Sequence, residues 1–205
     1  GMGGSILGTE AIYYFLKNQI KKKFFFFNNL QGITILDSRK LKANIIISKS
    51  GNTLETISNF NLILDKERKN KNIIITEQKN NILRKIGEKL NAEIIEHKDY
   101  IGGRYSILSE VGMLPAELMG LNPKKFKKFN NLVKSKKFIN SLVDNVAFIY
   151  ELIKEGKKNS VILNYDEKSL NFFKWYQQLT SESLGKKSKG VFPIISSMPK
   201  DNHSL

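Results

Sequence analysis

The sequence predicts an α/β protein in which a parallel β-sheet is covered by helices on both faces, as a three-layer sandwich. Apolar residues recur at helical spacing in several segments. Between those segments lie short isoleucine-rich runs such as Ala43 to Ile47, which are apolar on both faces, as in a central parallel strand. The two patterns alternate through the first hundred residues. Strands that alternate with helices form βαβ units, which gives the fold class.

The first hundred residues contain three predicted helices and four predicted strands. Each predicted helix has one apolar side, and each predicted strand is a short β-branched or aromatic run. Phe24 to Phe27 is expected to be a buried strand, because Asn28 and Asn29 end the run at once. The predictions are helices over 6–20, 53–64 and 80–90, and strands over 24–27, 43–47, 72–75 and 93–95.

After residue 105 the pattern becomes mainly helical and then returns to α/β. Pro123 suits the first turn of one of these helices. We therefore divide the chain into a nearly complete first domain, 1–105, a helical connector, 106–158, and the start of a second α/β domain, 159–205. The predicted elements are helices over 106–119, 123–132 and 138–154, strands over 160–163 and 191–195, and a helix ending near 179.

Charge is the most unusual feature of the composition. The 34 Lys and Arg residues outnumber the 19 Asp and Glu residues, for a formal net charge of +15. Nucleic-acid binding would explain such a charge. However, the lysine pairs and triplets are dispersed along the chain, and lysine, isoleucine and asparagine are abundant together, as in AT-rich coding sequences. We favour a solvated basic surface, which would also attract a small phosphorylated anion.

Several classes of protein are excluded or disfavoured by composition. No apolar run reaches the roughly 18 to 20 residues of a membrane span. The chain has no cysteine, which excludes disulfides and thiolate metal sites. We see no secretory leader. We expect a cytoplasmic protein with neither a membrane nor a nucleic acid as its partner.

Two loops have the composition of an anion site. Residues 1–5 read GMGGS and open a helix, where glycine lets the backbone approach an anion and the helix dipole favours negative charge. Residues 48–53 read SKSGNT and follow the strand 43–47, at the edge where ligands bind in open α/β sheets. The first loop could equally be a simple strand-to-helix turn. In the second, Asn52 or Thr53 could instead cap the next helix, and both roles are compatible.

Four motifs in order resemble one family. The two loops resemble the sugar-isomerase (SIS) domain, a flavodoxin-like fold that binds phosphosugars. Residues 100–112, YIGGRYSILSEVG, resemble the glucose-6-phosphate isomerase signature around Gly-Gly-Arg-Tyr/Phe-Ser. Residues 177–186, QQLTSESLGK, resemble that family's Gln-…-Glu-Ser-x-Gly-Lys segment, and 201–204 follow at the expected distance. The resemblance implies reversible isomerisation of glucose 6-phosphate and fructose 6-phosphate, without a metal or cofactor, by a homodimer when full length.

The resemblance also implies roles for individual residues. Glu182 would be the base that moves a proton between C2 and C1, and Arg104 would offset the charge of the enediolate. His203 would assist ring opening from the partner subunit of the dimer. Gln178, Gly103 and Glu55 would position the sugar or that histidine. The residues implied for the substrate phosphate are Gly4, Ser5, Ser48, Lys49, Ser50 and Thr53.

Aldose–ketose isomerisation requires these residue types independently of any family resemblance. Removing a weakly acidic proton next to a carbonyl needs a positioned base, a donor for the ring oxygen, and a cation facing the developing oxyanion. A non-catalytic sugar-phosphate sensor on the same domain is the alternative, and it would not need Glu182 or Arg104. His97 is expected at the surface, and Trp175 and Tyr176 in the core.

The family's pattern is only partly present. The segments that should precede the first glycine loop, and a C-terminal segment with a lysine, are not in the sequence. Asn52 stands where the family often has threonine. We therefore expect a fragment of a longer gene product, and we expect this fragment alone to be weakly active or inactive.

Overall fold

The computed structural model describes residues 1–30, 42–64, 70–187 and 189–204. A three-stranded parallel sheet, in the order β1-β2-β3, organises the first part of the chain. Isoleucines face one another along this sheet: Ile45 pairs with Ile73, and Ile46 with Ile74. The strands are β1, Ala43–Ile47, β2, Lys71–Thr76, and β3, Glu93–Glu96.

Helices cover both faces of this sheet, which confirms the predicted fold class. On one face, Ile46 and Ile74 pack with Phe60 and Leu83 of two helices. On the other face, Ile47 and Ile75 pack with Val111 of a third helix, so consecutive residues of one strand are buried in opposite layers. The helices of this part are α1, Leu7–Phe15, α2, Leu54–Ile63, α3, Ile82–Lys89, and α4, Glu110–Leu118.

The rest of the chain is more open. A second, two-stranded parallel sheet pairs β4, Asn159–Asn164, with β5, Phe192–Ser197. The long helices α7 and α8 contain no buried residue. The helices of this part are α5, Pro123–Phe126, α6, Asn130–Lys134, α7, Lys136–Lys154, α8, Leu170–Leu184, and α9, Lys200–Ser204.

The segment from Phe24 to Phe27 corrects one expectation, because it is not part of a strand in either sheet. Phe24 and Phe26 are half-buried and lie against Tyr13 of α1, with ring centroids 5.8 Å and 5.2 Å away. Phe25 is 40 % exposed. The rings of Phe24 and Phe26 therefore pack on one side of α1, and the segment lies at the edge of the hydrophobic core.

Four smaller expectations are also corrected. His97 is buried rather than at the surface, because its backbone N–H continues the β2–β3 pairing to the carbonyl of Thr76. Tyr176 is exposed, and Trp175 is only half-buried. The predicted helix 6–20 ends as α1 at Phe15, before a separate 3-10 turn. Helix α8 continues five residues beyond the predicted end near 179, and this extension carries Glu182.

Candidate active site

The first glycine loop forms a 3-10 turn, Gly3–Ser5, immediately before α1. Gly3 has a φ of +51°, a conformation that favours glycine. Gly4 lies directly against the backbone of Gly103 and Arg104, and a Cβ at Gly4 would collide with it. The turn therefore brings the Gly-Gly-Arg segment, Gly102 to Arg104, into contact with the start of α1.

The second loop, residues 48–53, lies at the carboxyl end of β1. Ser48 is buried, and its hydroxyl is 2.9 Å from that of Thr53. Ser50 is exposed at the mouth of the loop. Gly51 has a φ of +65° and donates its N–H to the Ser48 carbonyl, 3.2 Å away. The loop is thus a tight turn with its hydroxyls held in fixed positions.

The alternative role considered for this loop was a side-chain cap at the start of α2. The structure does not show that cap. Asn52 accepts a hydrogen bond from the backbone N–H of Ile82, at 3.0 Å, and so contributes to the start of α3. Thr53 occupies the N-cap position of α2, but its side chain makes no capping hydrogen bond. The Thr53 hydroxyl is instead directed to Ser48.

Lys49 is held at the same edge of the sheet by groups that follow β2 and β3. Its ammonium donates to the backbone carbonyl of Asp99 at 2.7 Å and lies 3.5 Å from a carboxylate oxygen of Glu77. The Glu77 side chain is only 12 % exposed. Sequence reasoning missed Glu77; its position directly after β2, at the carboxyl edge of a parallel sheet, was the available signal.

Arg104 links the glycine loop to α8. Its Nη1 donates to Glu182 Oε1 at 2.9 Å, and its Nε donates to the Ser183 hydroxyl at 2.8 Å. The indole N–H of Trp175 donates to the Arg104 carbonyl at 3.1 Å. The hydrogen bond to Tyr105 is the main cause that raises the pKa of Arg104, and the nearby carboxylate of Glu182 raises it further. The guanidinium is therefore a permanent and well-oriented cation.

Glu182 receives a donor at each carboxylate oxygen. Arg104 contacts Oε1, and the amide of Gln178, one turn earlier on α8, donates to Oε2 at 3.3 Å. The Glu182 side chain is 51 % exposed. Since each carboxylate oxygen has two lone pairs, one donor at each leaves a lone pair free to accept a proton.

The two glycine-containing loops, the end of β2 and α8 enclose one open cavity of about 420 Å³. That volume lies within the range of small-molecule sites, about 300–1,000 Å³. Nine of the twelve predicted site residues line it, together with Met2 and Glu77. The nine are Gly4, Ser5, Lys49, Ser50, Thr53, Gly103, Arg104, Gln178 and Glu182.

Three predicted residues do not line this cavity. Ser48 is buried beneath it and reaches it only through Thr53. Glu55 lies half-buried in the first turn of α2. His203 is exposed on α9. The roles expected of Glu55 and His203 remain predictions.

The described part of the chain lacks two further features. No group of three or more His, Asp or Glu side chains converges there in a way that could hold a metal ion. None of the helices in that part combines the length and apolar character needed to cross a bilayer.

Comparison with known proteins identifies the family. A model of the family described as phosphoglucose isomerase matches residues 1–195. The chain is 35 % identical to the glucose-6-phosphate isomerase of Methanocaldococcus jannaschii and 31 % identical to that of Parabacteroides distasonis, over all of this chain and 54 % and 52 % of theirs. A crystal structure of a hypothetical protein from Thermus thermophilus superposes with a TM-score of 0.80 at 26 % identity, over 100 % of this chain and 54 % of that one. The chain spans about half the length of the curated relatives it matches, and it belongs to the phosphoglucose isomerase family.

Proposed function

We propose that the whole protein interconverts glucose 6-phosphate and fructose 6-phosphate by moving a proton between C2 and C1. One observation carries this proposal. A hydroxyl-rich loop with a lysine and an arginine–carboxylate pair line the same 420 Å³ cavity. The relatives named above are described as glucose-6-phosphate isomerases, which supports the same substrate. The proposed setting is glycolysis and gluconeogenesis in the cytoplasm.

The phosphate would bind at the carboxyl end of β1. The hydroxyls of Ser5, Ser50 and Thr53 can donate to its oxygens, and Lys49 supplies a positive charge. Gly4 contributes close backbone approach at the start of α1, where the helix N-terminus favours an anion. Ser48 would act indirectly, because its hydroxyl orients that of Thr53.

Glu182 would serve as the base. Its carboxylate would take the C2 proton of the open-chain aldose, and the electrons of that C–H bond would form the C1–C2 double bond of an enediolate. The electron pair of the C1 carbonyl would move to O1, which would take up the hydroxyl proton of O2. The same carboxyl group would then return its proton to C1, and O2 would become the ketose carbonyl. Arg104, 2.9 Å from Glu182, would stabilise the negative oxygen, and Gln178 and Gly103 would position the sugar.

Ring opening would require a further group. A histidine titrates near neutrality and can give a proton to the ring oxygen. We assign this role to His203 of a partner subunit in a homodimer, with Glu55 beside it. Our division into a first domain, 1–105, a connector, 106–158, and the start of a second domain, 159–205, belongs to the same proposal.

Exchange of the C2 proton with solvent tests the proposal and separates it from the sugar-phosphate sensor. Glucose 6-phosphate is incubated with the protein in D₂O, and deuterium at C2 is followed by NMR. We expect the whole protein to exchange it and to form fructose 6-phosphate, and the 205-residue chain to do so weakly or not at all. Phosphosugar binding without exchange by the whole protein would favour the sensor, and robust turnover by the chain alone would refute the expectation for the fragment.

A further inference from the structure

Glu77 is a charged residue of the candidate active site that the proposed mechanism does not use. It follows β2 directly and lines the cavity together with Lys49, Ser50 and Thr53. Its side chain is only 12 % exposed, whereas acidic side chains usually lie in solvent. The proposed function places a phosphate in this same cavity. A largely buried negative charge at an anion site therefore calls for a role of its own.

The charges that line the cavity are balanced. Among the described residues that line it, Lys49 and Arg104 supply two cations, and Glu77 and Glu182 supply two carboxylates. The chain as a whole, in contrast, has a formal net charge of +15. Arg104 is paired with Glu182 at 2.9 Å. Lys49 is thus the lining cation left for a phosphate, and Glu77 is the carboxylate beside it.

The lysine does not need the Glu77 carboxylate to stay in place. The Lys49 ammonium is 3.5 Å from Glu77 Oε1, beyond the usual N–H···O distance of about 2.7–3.2 Å. The same ammonium donates to the Asp99 carbonyl at 2.7 Å. The backbone carbonyl of Lys49 accepts from the Glu77 N–H at 3.1 Å and from the Thr76 hydroxyl at 3.3 Å. Loss of the Glu77 charge therefore leaves Lys49 positioned and its own charge available.

A bound phosphate competes with Glu77 for this lysine. The two negative groups repel each other, and the repulsion grows as the ligand expels water from the cavity, because the local dielectric constant falls. Lys79 lies 3.2 Å from Glu77, but its side chain is 74 % exposed, so solvent weakens the compensation that it gives. Glu77 therefore opposes the binding of an anion at Lys49.

We propose that Glu77 keeps the affinity of this cavity for phosphate low, so that Lys49 recognises the phosphate group without holding it tightly. This inference rests on the proposed function. The phosphate does not react and is the same group in glucose 6-phosphate and fructose 6-phosphate, so Glu77 weakens both complexes and the transition state alike. Such uniform binding acts on KM and does not raise kcat. Glu77 thus sets the range of phosphosugar concentrations over which the whole protein works.

A matched pair of variants tests this role. Glu77→Gln keeps the shape of the side chain and removes its charge, whereas Glu77→Asp keeps the charge. Binding of inorganic phosphate and of glucose 6-phosphate to the whole protein is measured by calorimetry. We expect Glu77→Gln to bind both ligands roughly tenfold more tightly, since like charges in contact cost up to several kcal/mol and Lys79 already offsets part of that cost. Glu77→Asp should show no such gain. Glu93→Gln, which removes an exposed carboxylate paired with Lys71 at the opposite end of the sheet, should change neither affinity.

Kinetics separate this role from one in which Glu77 merely holds Lys49. Glu77→Gln should lower KM for both sugars by the same factor and should not raise kcat. Weaker phosphate binding by Glu77→Gln would show that the carboxylate serves to position the lysine, and it would overturn the proposal; unchanged binding would overturn it too. Failure of the proposed function is a different result, namely absence of C2 proton exchange in the unaltered protein. Tighter phosphate binding by Glu77→Gln does not depend on that exchange.

Discussion

The sheet side and the α8 side of the candidate active site differ in how the fold supports them. The loops after β1 and β2 continue from buried strand residues, Ile46 and Ile47 in β1 and Ile74 and Ile75 in β2. Glu182 lies on α8, which contains no buried residue. Its carboxylate is oriented by polar contacts with Arg104 and Gln178. The groups assigned to phosphate binding thus rest on a core, whereas the group assigned to proton transfer rests on a small polar network.

This difference implies that binding and chemistry can be separated by substitution. Changes in the polar network should reduce turnover and leave the phosphate loops intact. Changes in the core should unfold the first domain and remove both functions together. The substitutions described next each change one of these two sides.

Glu182→Gln removes the base and keeps a side chain of the same shape. Positioned general bases contribute roughly 10²–10⁴-fold to rate, so we expect the whole protein to lose that factor in kcat. Glucose 6-phosphate binding, measured by calorimetry, should change little. Glu167→Gln is the matched control, because Glu167 is exposed just before α8 and does not line the cavity. Turnover retained by Glu182→Gln would remove Glu182 from its assigned role.

Arg104→Lys keeps the charge but loses the planar fork. Lysine cannot reproduce the contacts of Nη1 with Glu182 and of Nε with Ser183 together. We expect kcat of the whole protein to fall by roughly 10²-fold, as for the loss of one oxyanion donor. Arg84→Lys, on the surface of α3, should have no effect on kcat. Equal rates for the two variants would argue against a role for Arg104 in the chemistry.

Leu83→Ala tests the core beneath the phosphate loops. Leu83 is fully buried against Ile46 and Ile74, and truncation of such a leucine costs about 2–5 kcal/mol. Leu142→Ala on α7 is the matched control, because Leu142 is 49 % exposed and should change stability by less than about 0.5 kcal/mol. Urea unfolding of the 205-residue chain measures both. Similar losses would contradict the conclusion that the phosphate loops rest on a tightly packed core.

Lys49→Met should produce the smallest effect. The lysine already interacts with Glu77 and Asp99, so only part of its charge is available to a phosphate. A hydrogen bond to a charged group contributes about 1.5–3 kcal/mol, so we expect roughly tenfold weaker binding of glucose 6-phosphate. Lys71→Met is the control, since Lys71 lies at the opposite end of the sheet and pairs with Glu93. Unchanged affinity for Lys49→Met would exclude a direct phosphate contact.

Periodicity in the sequence was enough to predict the parallel sheet, because runs such as Ala43 to Ile47 are apolar on both faces. It was not enough at Phe24 to Phe27, where hydrophobic composition suggested burial but strand pairing depends on the neighbouring chain. His97 was missed for a related reason: a single polar residue gives no periodic signal, and its burial follows from the register of β3 beside β2.

Motifs predicted most of the residues that line the candidate active site, but not all of its electrostatics. Glu77 lines the cavity and contacts Lys49, and it belongs to no motif; only its position directly after β2 marks it. The hydrogen bond that Asn52 accepts from the Ile82 N–H at the start of α3 could not be foreseen either, since it joins two segments that are distant in sequence. Contacts between loops are set by the sheet topology.

A crystal structure of the 205-residue chain with glucose 6-phosphate bound would show directly whether one sugar contacts both the phosphate-binding loop and Glu182. The account predicts the phosphate within hydrogen-bonding distance of the Ser50 and Thr53 hydroxyls, and C2 of the sugar about 3–3.5 Å from the Glu182 carboxylate. A phosphate bound outside this cavity, or a sugar whose C2 points away from Glu182 toward bulk water, would contradict it.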